Sequence, residues 1–300
     1  MLGQETALAR SWLARALDLP EQCLAMPIAL PNGSTNCSYI GEYQNTRYMI
    51  RLSRKERAYD LDRLSEYNAY QSVGPLDISD EVLLFDVESG TKVAAFIESA
   101  READPRDEED AALAMAVLKK VHSVRSPNVR RGDAFADILM YESCWRRQSS
   151  HPDHDETQKK VMGLRPWLMD PAAERVLCHG DAIAENFLIV DRNGKKAARL
   201  VDWEFCAVDD PMLDIGIYAM YGNYDRAQTD RLIESYDPAM PPWQRRRVYG
   251  WIAVYAMSWS NWGEYELQAG NELSPKVIGK YDAIGYWLNI LEGESKHEGT

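Results

Sequence analysis

Short apolar runs separated by polar turns dominate the first third of the chain. Residues 37–52 form two such runs around the turn Gln44-Asn45-Thr46, and residues 82–99 repeat the pattern around Glu88-Ser89-Gly90. Strand-forming residues on both sides of a polar or glycine-containing turn are typical of β-hairpins. The pattern therefore predicts two hairpins in this part of the chain.

Two segments with helical character accompany these hairpins. Residues 1–20 have the spacing of an amphipathic helix, and the charged residues 54–73 are predicted to form a second helix between the hairpins. Strands followed by one helix and then by further strands predict a small, mostly antiparallel lobe. We assign this lobe to residues 1–98.

The character of the chain changes after residue 98. A charged, proline-containing stretch leads into a helix, and most of the remaining sequence has helical periodicity. The exception is residues 187–202, where two apolar runs flank Asp191-Arg192-Asn193-Gly194, a strong hairpin signal. We therefore predict an α+β protein in which a mainly helical second lobe spans residues 99–300.

Composition argues against several classes of protein. The formal net charge is -13, and no basic face of the kind that binds nucleic acid is visible. An acidic surface also disfavours anionic membranes, and no apolar run is long enough to cross a bilayer. The five scattered cysteines form no C-x-x-C pair, which favours a reducing cytoplasm over a disulfide or zinc framework. Oligomeric state has no visible signature in the sequence.

The candidate chemistry begins just before the predicted late hairpin. His179-Gly180-Asp181 and Asn186 read H-x-D-x-x-x-x-N, which is the spacing of a kinase catalytic loop. Asp202 follows at the end of the hairpin, where a kinase carries its metal-binding aspartate. Two such motifs in this order favour phosphoryl transfer from ATP.

The late hairpin supplies a structural reason for this arrangement. If it folds symmetrically about Asn193-Gly194, Asn186 and Asp202 meet at one end and offer Mg²⁺ an amide and a carboxylate oxygen. Asp181 would then accept the proton of an incoming alcohol as general base. The alternative for each residue alone is structural: Asp181 and Asn186 as turn formers, and Asp202 as a strand-end cap.

Upstream residues offer phosphate contacts. Gly33-Ser34-Thr35-Asn36 precedes a strand and presents backbone N–H groups and hydroxyls, although an ordinary turn explains it equally well. Arg51 ends the next strand, and Glu66 on the following helix is positioned to hold it, like the lysine–glutamate pair of kinases. The alternative for Arg51 and Glu66 is a pair of separate solvated charges.

A C-terminal helix carries an aromatic stripe. Trp251, Tyr255, Trp259 and Trp262 fall on one helical face. Such a stripe is an ordinary core feature, and we predict that role for Trp251 and Tyr255.

Together these motifs resemble the choline/ethanolamine kinase family, especially its bacterial choline kinases, within the aminoglycoside phosphotransferase group. The segment from Gly33 to Tyr39 is similar to the family's phosphate loop, and Tyr48-Met49-Ile50-Arg51 to the strand with its basic ATP contact. The most specific likeness lies in residues 179–188 and 201–214. The resemblance covers most of the chain and implies a two-lobed, protein-kinase-like fold with ATP between the lobes.

The resemblance also implies a role for each site residue. Asp181 would be the base, and Asn186 and Asp202 would hold Mg²⁺. The ATP-binding residues would be Gly33, Ser34, Thr35, Asn36, Arg51 and Glu66, together with an adenine-binding hinge at Phe96, Ile97 and Glu98. The acceptor pocket would be formed by Glu204, Phe205, Tyr221, Trp259 and Trp262. In this pocket the two tryptophans would be walls of a choline cage, which binds a quaternary ammonium through aromatic faces.

Three positions depart from the family pattern around the acceptor. Phe205 stands where a tyrosine is usual, Tyr221 where the family tends to have an acidic residue, and Lys276 near the position of a cage tyrosine. Loss of a carboxylate and gain of an ammonium would weaken the attraction for choline. These departures do not affect the assignment to the phosphotransferase class. They do leave the identity of the acceptor alcohol undetermined.

We therefore predict an ATP- and Mg²⁺-dependent kinase of a small amino alcohol, with choline or ethanolamine as the expected acceptor. One alternative is a kinase of another small molecule, such as an aminoglycoside, thiamine or a sugar. An antibiotic pocket is expected to contain several carboxylates, and an aromatic cage argues against it. The other alternative is a non-catalytic nucleotide-binding protein, although such proteins usually lose the residues equivalent to Asp181, Asn186 or Asp202.

Overall fold

The computed structural model of this chain describes residues 2–31, 36–54, 61–125, 128–192, 194–273 and 279–297. The chain divides into two compact units. Unit 1 contains Met1–Arg101, Pro127–Val129 and Leu188–Phe205, and unit 2 contains Glu102–Ser126, Arg130–Phe187 and Cys206–Thr300. Unit 1 therefore includes the late hairpin, which the predicted boundary at residue 98 assigns to the second lobe. The functional division at that boundary stays a prediction.

Helices and strands follow one another along both units. The helices are α1 (Leu2–Leu17), α2 (Arg63–Val73), α3 (Glu108–Val121), α4 (Ala134–Ser143), α5 (His154–Met162), α6 (Arg165–Leu168), α7 (Met212–Tyr221), α8 (Arg226–Tyr236), α9 (Pro242–Ala269) and α10 (Lys280–His297). The strands are β1 (Ile28–Ala29), β2 (Asn36–Tyr43), β3 (Thr46–Ser53), β4 (Val82–Asp86), β5 (Thr91–Ala95), β6 (Arg101–Glu102), β7 (Val176–Cys178), β8 (Phe187–Arg192), β9 (Lys195–Leu200) and β10 (Ala207–Asp209).

An antiparallel sheet with the strand order β1-β2-β3-β5-β4 forms the body of unit 1. β2 and β3 pair along their whole length, from Asn36 opposite Ser53 to Tyr43 opposite Thr46. β5 lies on the other side of β3 and pairs with β4. The two hairpins predicted from the sequence are therefore β2–β3 and β4–β5.

One face of this sheet is buried by α1. Ala9 and Leu13 of the helix are fully buried in a cluster with Ile50 of β3 and Val93 of β5. Burial of apolar surface is the main favourable term in folding, so this contact holds the helix on the sheet. The predicted amphipathic character of the N-terminal segment is thus confirmed.

The helix α2 is shorter than the predicted helix at residues 54–73. It begins at Arg63, after Asp62, whose side chain accepts a hydrogen bond from the backbone N–H of Ser65. An aspartate at this position satisfies one of the donors that a first helical turn leaves unpaired, and the helix starts here for that reason. Arg54 is not helical, and residues 55–60 lie outside the described part of the chain.

Unit 2 is built around α9, which packs against α4, α5, α6, α7 and α10. Trp251 of α9 is fully buried and donates its indole N–H to Asp210 at 2.8 Å. It is a core residue, as predicted, while Tyr255 is only partly buried. None of the described helices has both the length and the apolar character that crossing a membrane requires.

Short strands lead into and out of the candidate catalytic segment. β7 pairs with β10 in antiparallel fashion, with Cys178 opposite Ala207. β8 and β9 are neighbours in a sheet with the order β6-β8-β9, and they form the predicted late hairpin. Asn193, at its turn, lies outside the described residues.

The contact between α7 and α9 depends on the absence of a side chain at Gly216. A Cβ atom there would lie 3.0 Å from Cβ of Trp251 and 3.2 Å from the backbone nitrogen of Ile252. We expect Gly216→Ala to lower the free energy of unfolding by about 1–3 kcal/mol, because the backbone of α9 cannot yield as a flexible side chain would. Chemical denaturation measures this change.

Gly285→Ala in α10 is the matched control. A Cβ atom at Gly285 would meet nothing within 4 Å. This substitution should raise the free energy of unfolding by about 0.5–1 kcal/mol, because alanine has the better helix propensity. Equal effects of the two substitutions would contradict the close-approach argument.

Candidate functional site

The candidate catalytic loop lies in unit 2, directly after β7. It ends in a short 3-10 helix, Ala184–Asn186, that leads into β8. The side-chain nitrogen of Asn186 donates to the main-chain oxygen of Asp181 at 2.8 Å and to its carboxylate Oδ2 at 3.0 Å. Since the nitrogen is used in this way, the amide oxygen of Asn186 is the atom suited to bind a metal ion.

Asp214, in the first turn of α7, holds the start of this loop. Its carboxylate accepts hydrogen bonds from the backbone N–H groups of His179 and Gly180, at 2.8 Å and 2.9 Å. His122, at the end of α3, contacts the same carboxylate through Nε2 at 3.0 Å. Burial alone would raise the pKa of Asp214, but these hydrogen bonds and the two imidazoles lower it. Asp214 is therefore held as a carboxylate.

His122, Cys178 and Asp214 place potential metal ligands within 4.8 Å of one another. Their hydrogen bonds argue against a metal, because Nε2 of His122 and Oδ2 of Asp214 already bind each other. Burial also raises the pKa of the Cys178 thiol well above its usual value, which disfavours the thiolate that zinc binds. We interpret these three residues as support for the loop.

Tyr221, Trp259 and Trp262, which we call the aromatic group, lie together in unit 2. The ring of Trp259 is 5.4 Å from that of Tyr221 and 5.9 Å from that of Trp262, centre to centre, and both pairs are edge-to-face. All three residues are only partly buried, so ring surface remains accessible to a ligand. Three of the five predicted acceptor residues are thus in one place.

The aromatic group lies beside the candidate catalytic loop. The hydroxyl of Tyr221 donates a hydrogen bond to Oε1 of Glu185 at 2.9 Å. Burial raises the pKa of Tyr221 to about 12, and the negative charges of Asp181 and Glu102 contribute to this shift. Carboxylates therefore lie near this ring, and their charge favours a cationic ligand. No motif marks Glu185 in the sequence, and only the fold reveals this contact.

Lys280, at the start of α10, is a buried cation next to the aromatic group. Its Nζ donates to the main-chain oxygens of Met220 and Tyr221, both at 2.9 Å, and to Oδ1 of Asn223 at 2.7 Å. Nζ also lies 5.3 Å from the centre of the Tyr221 ring. Burial lowers the pKa of Lys280 to about 8. These contacts fix the end of α7 and, with it, the backbone of Tyr221.

In unit 1, Arg51 is the centre of a group of buried ion pairs, which we call the ion-pair cluster. Its Nη1 contacts Oε1 of Glu66 at 2.6 Å and Oδ1 of Asp202 at 3.0 Å. Burial alone would lower the pKa of Arg51, but the carboxylates of Glu66 and Asp202 raise it well above its usual value. The expected Arg51–Glu66 pair is present, while its role in ATP binding stays a prediction.

Arg63 belongs to the ion-pair cluster and is not predicted by any motif. Its Nη1 contacts Oε2 of Glu66 at 2.6 Å and Oε2 of Glu204 at 3.1 Å. Asn36, at the start of β2, donates to the same oxygen of Glu204 at 3.0 Å. The i,i+3 spacing of Arg63 and Glu66 is the sole signal in the sequence, and it is common on solvated helix faces.

Asp202 has properties expected of a metal ligand. Its side chain is 38% exposed, whereas that of Glu66 is fully buried. Its backbone lies in the left-handed region with a φ of 69°, a conformation that is uncommon outside glycine and often occurs at functional sites. Its carboxylate and the amide oxygen of Asn186 are hard donors of the kind Mg²⁺ prefers. The donor chemistry fits the ion, and the assignment of both residues as ligands stays a prediction.

The predicted adenine hinge, Phe96, Ile97 and Glu98, follows β5 in unit 1. The backbone N–H of Phe96 donates to the main-chain oxygen of Arg47 at 3.1 Å. The guanidinium of Arg47 lies 4.3 Å from the centre of the Phe96 ring and forms an exposed ion pair with Glu98. Arg47 therefore holds the segment against the start of β3, and adenine binding there stays a prediction.

The other predicted residues fall in two groups. Gly33, Ser34 and Thr35 of the predicted phosphate loop, and Lys276, lie outside the described residues. Glu204 and Phe205 lie in unit 1, where Glu204 is buried in the ion-pair cluster and Phe205 is partly buried. Acceptor contacts for these two residues stay predictions.

A family model matches most of the chain. Residues 29–249 match the model of the phosphotransferase enzyme family APH. Among curated proteins, the chain is 20% identical over 220 residues to the protein LicA of Haemophilus influenzae. This match covers 71% of the chain but only 63% of that protein.

Solved structures confirm the predicted protein-kinase-like fold. The chain is similar to the choline kinase LicA from Streptococcus pneumoniae, with a TM-score of 0.80, 22% identity, and 94% of this chain and 98% of that chain covered. It is also similar to a choline/ethanolamine kinase family protein from Mesorhizobium loti, with a TM-score of 0.75, 23% identity, and coverages of 97% and 95%. A structure of LicA in complex with AMP has a TM-score of 0.75 at 21% identity, with 89% of this chain and 92% of that chain covered. At these identities the likeness establishes the fold.

The brace formed by Asp214 can be tested by Asp214→Asn. An amide offers one acceptor oxygen where the carboxylate offers two, so His179 and Gly180 lose a shared charged partner. We expect the free energy of unfolding to fall by about 1–3 kcal/mol at neutral pH. Amide hydrogen exchange at His179 and Gly180 should become faster.

The same substitution predicts a pH dependence with a defined sign. Because the folded-state pKa of Asp214 is lowered, its carboxylate stabilises the fold above the ordinary aspartate pKa of about 3.9. That stabilisation is lost as the pH falls below this value and through the folded-state pKa. The stability difference between wild type and Asp214→Asn should therefore shrink as the pH falls below about 4. A difference that grows as the pH falls below about 4 would refute the assignment.

Gly90 tests the geometry of the ion-pair cluster. Its φ is 69°, its main-chain oxygen accepts from Nη2 of Arg51, and an added Cβ would lie 2.5 Å from Nε of Arg63. Gly194 has a φ of 78° but nothing within 4 Å of an added Cβ. Both alanine substitutions incur backbone strain, and only Gly90→Ala displaces Arg63 as well. We expect Gly90→Ala to cost about 1–3 kcal/mol more in unfolding free energy than Gly194→Ala. Equal losses would mean that Arg63 moves freely.

Proposed function

Because this chain belongs to the phosphotransferase enzyme family, we propose that it transfers the terminal phosphate of ATP to the hydroxyl of a small amino alcohol. Choline and ethanolamine are the proposed acceptors. The observation that carries the proposal is the position of Asp181. It lies in a loop braced by Asp214, and its charge acts on Tyr221 of the aromatic group within the same unit.

Asp181 is the proposed general base. In phosphoryl transfer an aspartate of the catalytic loop orients the acceptor hydroxyl and accepts its proton. The hydrogen bond from Asn186 fixes one carboxylate oxygen of Asp181, and it thereby orients the carboxylate that we propose as the base. Asp214 acts through the backbone of His179 and Gly180, so we assign it a positioning role.

The aromatic group is the proposed acceptor site. An ammonium placed against an aromatic face gains roughly 0.5–2 kcal/mol from cation–π attraction. The carboxylates near Tyr221 add an electrostatic preference for a positive charge, which an amino alcohol carries and a sugar lacks. Together they support an amino alcohol over the neutral acceptors of the family.

Mg²⁺ is the proposed cofactor, with Asp202 and Asn186 as its protein ligands. When bound, the ion would neutralise charge on the phosphates during transfer. Arg51 is the proposed cationic contact to the phosphates, and Glu66 fixes its guanidinium from the buried side. Asn36, the described member of the predicted phosphate loop, is fixed through Glu204.

The function can be tested by ADP release from Mg-ATP with choline, ethanolamine, thiamine, an aminoglycoside and a sugar as acceptors. We expect turnover with the amino alcohols. Asp181→Asn should lower kcat by roughly a hundredfold to ten-thousandfold, because it removes the base and keeps the shape. Calorimetric binding of ATP should change little.

Three results would contradict the proposal or the role that it gives to Asp181. Tight binding of ATP without turnover of any acceptor favours a non-catalytic nucleotide-binding protein. Turnover of the aminoglycoside alone assigns the protein to antibiotic modification. Unchanged turnover by Asp181→Asn would remove this residue from the role of base, whatever the acceptor.

A further inference from the structure

Glu185 connects the catalytic loop to the aromatic group. It lies in the 3-10 helix Ala184–Asn186, between the proposed base and a proposed metal ligand. Its Oε1 accepts the hydrogen bond from the hydroxyl of Tyr221 at 2.9 Å. A carboxylate is thus fixed at the phenol end of a ring whose neighbour, Trp259, is 5.4 Å away, centre to centre.

The charges around the carboxylate of Glu185 indicate the charge of the ligand that would bind there. Asp181 and Glu102 lie close enough to raise the pKa of Tyr221 through their negative charge. The described cation nearest the Tyr221 ring is Lys280, whose Nζ is held by Met220, Tyr221 and Asn223 through three hydrogen bonds. The three hydrogen bonds hold the ammonium of Lys280 at the end of α7. The negative charges of Asp181, Glu102 and Glu185 therefore favour a positively charged ligand.

We propose that Glu185 is a specificity-determining residue that hydrogen-bonds the ammonium of the acceptor, so that alcohols with an N–H-bearing ammonium are preferred to quaternary ones. This inference rests on the proposed function. A carboxylate accepts short, charge-assisted hydrogen bonds from a primary ammonium. A quaternary ammonium has no N–H to donate, so it gains only the charge attraction and the aromatic contact.

Tyr221 has a positioning role here. Its hydroxyl fixes one oxygen of Glu185, and its ring abuts Trp259. Its backbone is fixed in turn by Lys280. Glu185 is therefore preorganised, which lowers the entropic cost of binding the acceptor.

The test is Glu185→Gln, which keeps the size of the side chain and an oxygen for the Tyr221 hydroxyl but removes the charge. Its kcat/KM is compared with wild type for ethanolamine, for choline and for 3,3-dimethylbutan-1-ol, the uncharged carbon analogue of choline. We expect a loss of roughly tenfold to a hundredfold with ethanolamine and a smaller loss with choline. The uncharged alcohol should show no loss.

Two further variants separate specificity from folding. Tyr221→Phe releases the oxygen of Glu185, and we expect KM for ethanolamine to rise while kcat changes less. Glu156→Gln in α5 removes one negative charge from a side chain that is 74% exposed and serves as the matched control. It should leave the ratio of ethanolamine to choline unchanged.

The outcomes distinguish this inference from the proposed function. If wild-type protein phosphorylates neither amino alcohol, the proposed function fails and the inference fails with it. If wild type is active but Glu185→Gln leaves the ethanolamine-to-choline ratio unaltered, the inference alone is overturned. An equal loss with all three alcohols also overturns it, because Glu185 would then act through the shape of the catalytic loop.

Discussion

The candidate site depends on the hydrogen bonds that the carboxylate of Asp214 accepts from the catalytic loop. This carboxylate reaches from the first turn of α7 to the backbone of His179 and Gly180, and His122 binds it from the end of α3. Asp181 follows these two residues directly in the chain. Because Asp214 binds their backbone N–H groups, it fixes the main chain from which the side chain of Asp181 projects. A buried ionised carboxylate is costly unless it is fully hydrogen-bonded, and here that requirement fixes the loop. The same helix, α7, ends at Tyr221, so one element positions both the proposed base and the proposed acceptor wall.

The ion-pair cluster of unit 1 obeys the same constraint. Arg51 and Arg63 are both nearly buried, and each needs carboxylate partners that stay ionised. Glu66 lies between the two guanidiniums and neutralises part of both, while Asp202 and Glu204 complete the pairing. Among these five side chains, three carboxylates oppose two guanidiniums.

In the proposed acceptor region, one departure from the family pattern lies next to a carboxylate from another part of the chain. Tyr221 replaces the acidic residue that the resemblance leads one to expect, and taken alone this change removes a carboxylate. In the fold the hydroxyl of Tyr221 donates a hydrogen bond to Glu185. A carboxylate therefore lies within hydrogen-bond distance of this tyrosine. The buried ammonium of Lys280 has three oxygen acceptors of its own. Neither contact follows from spacing, because the partners come from separate elements.

The amino-acid sequence alone is sufficient to predict the two hairpins of unit 1, the helical character of unit 2, and the phosphotransferase class. These features follow from local patterns: alternating apolar runs, helical periodicity, and chemistry-bearing residues at fixed separations in one loop. It did not determine the start of α2, which an aspartate cap sets at residue 63, or the partners of Arg63, Glu185 and Lys280. Those were decided by tertiary structure, because a side chain's burial and its partners depend on packing between segments far apart in the chain. A charged residue looks the same in sequence whether it faces solvent or a buried carboxylate, and only the fold assigns it to one or the other.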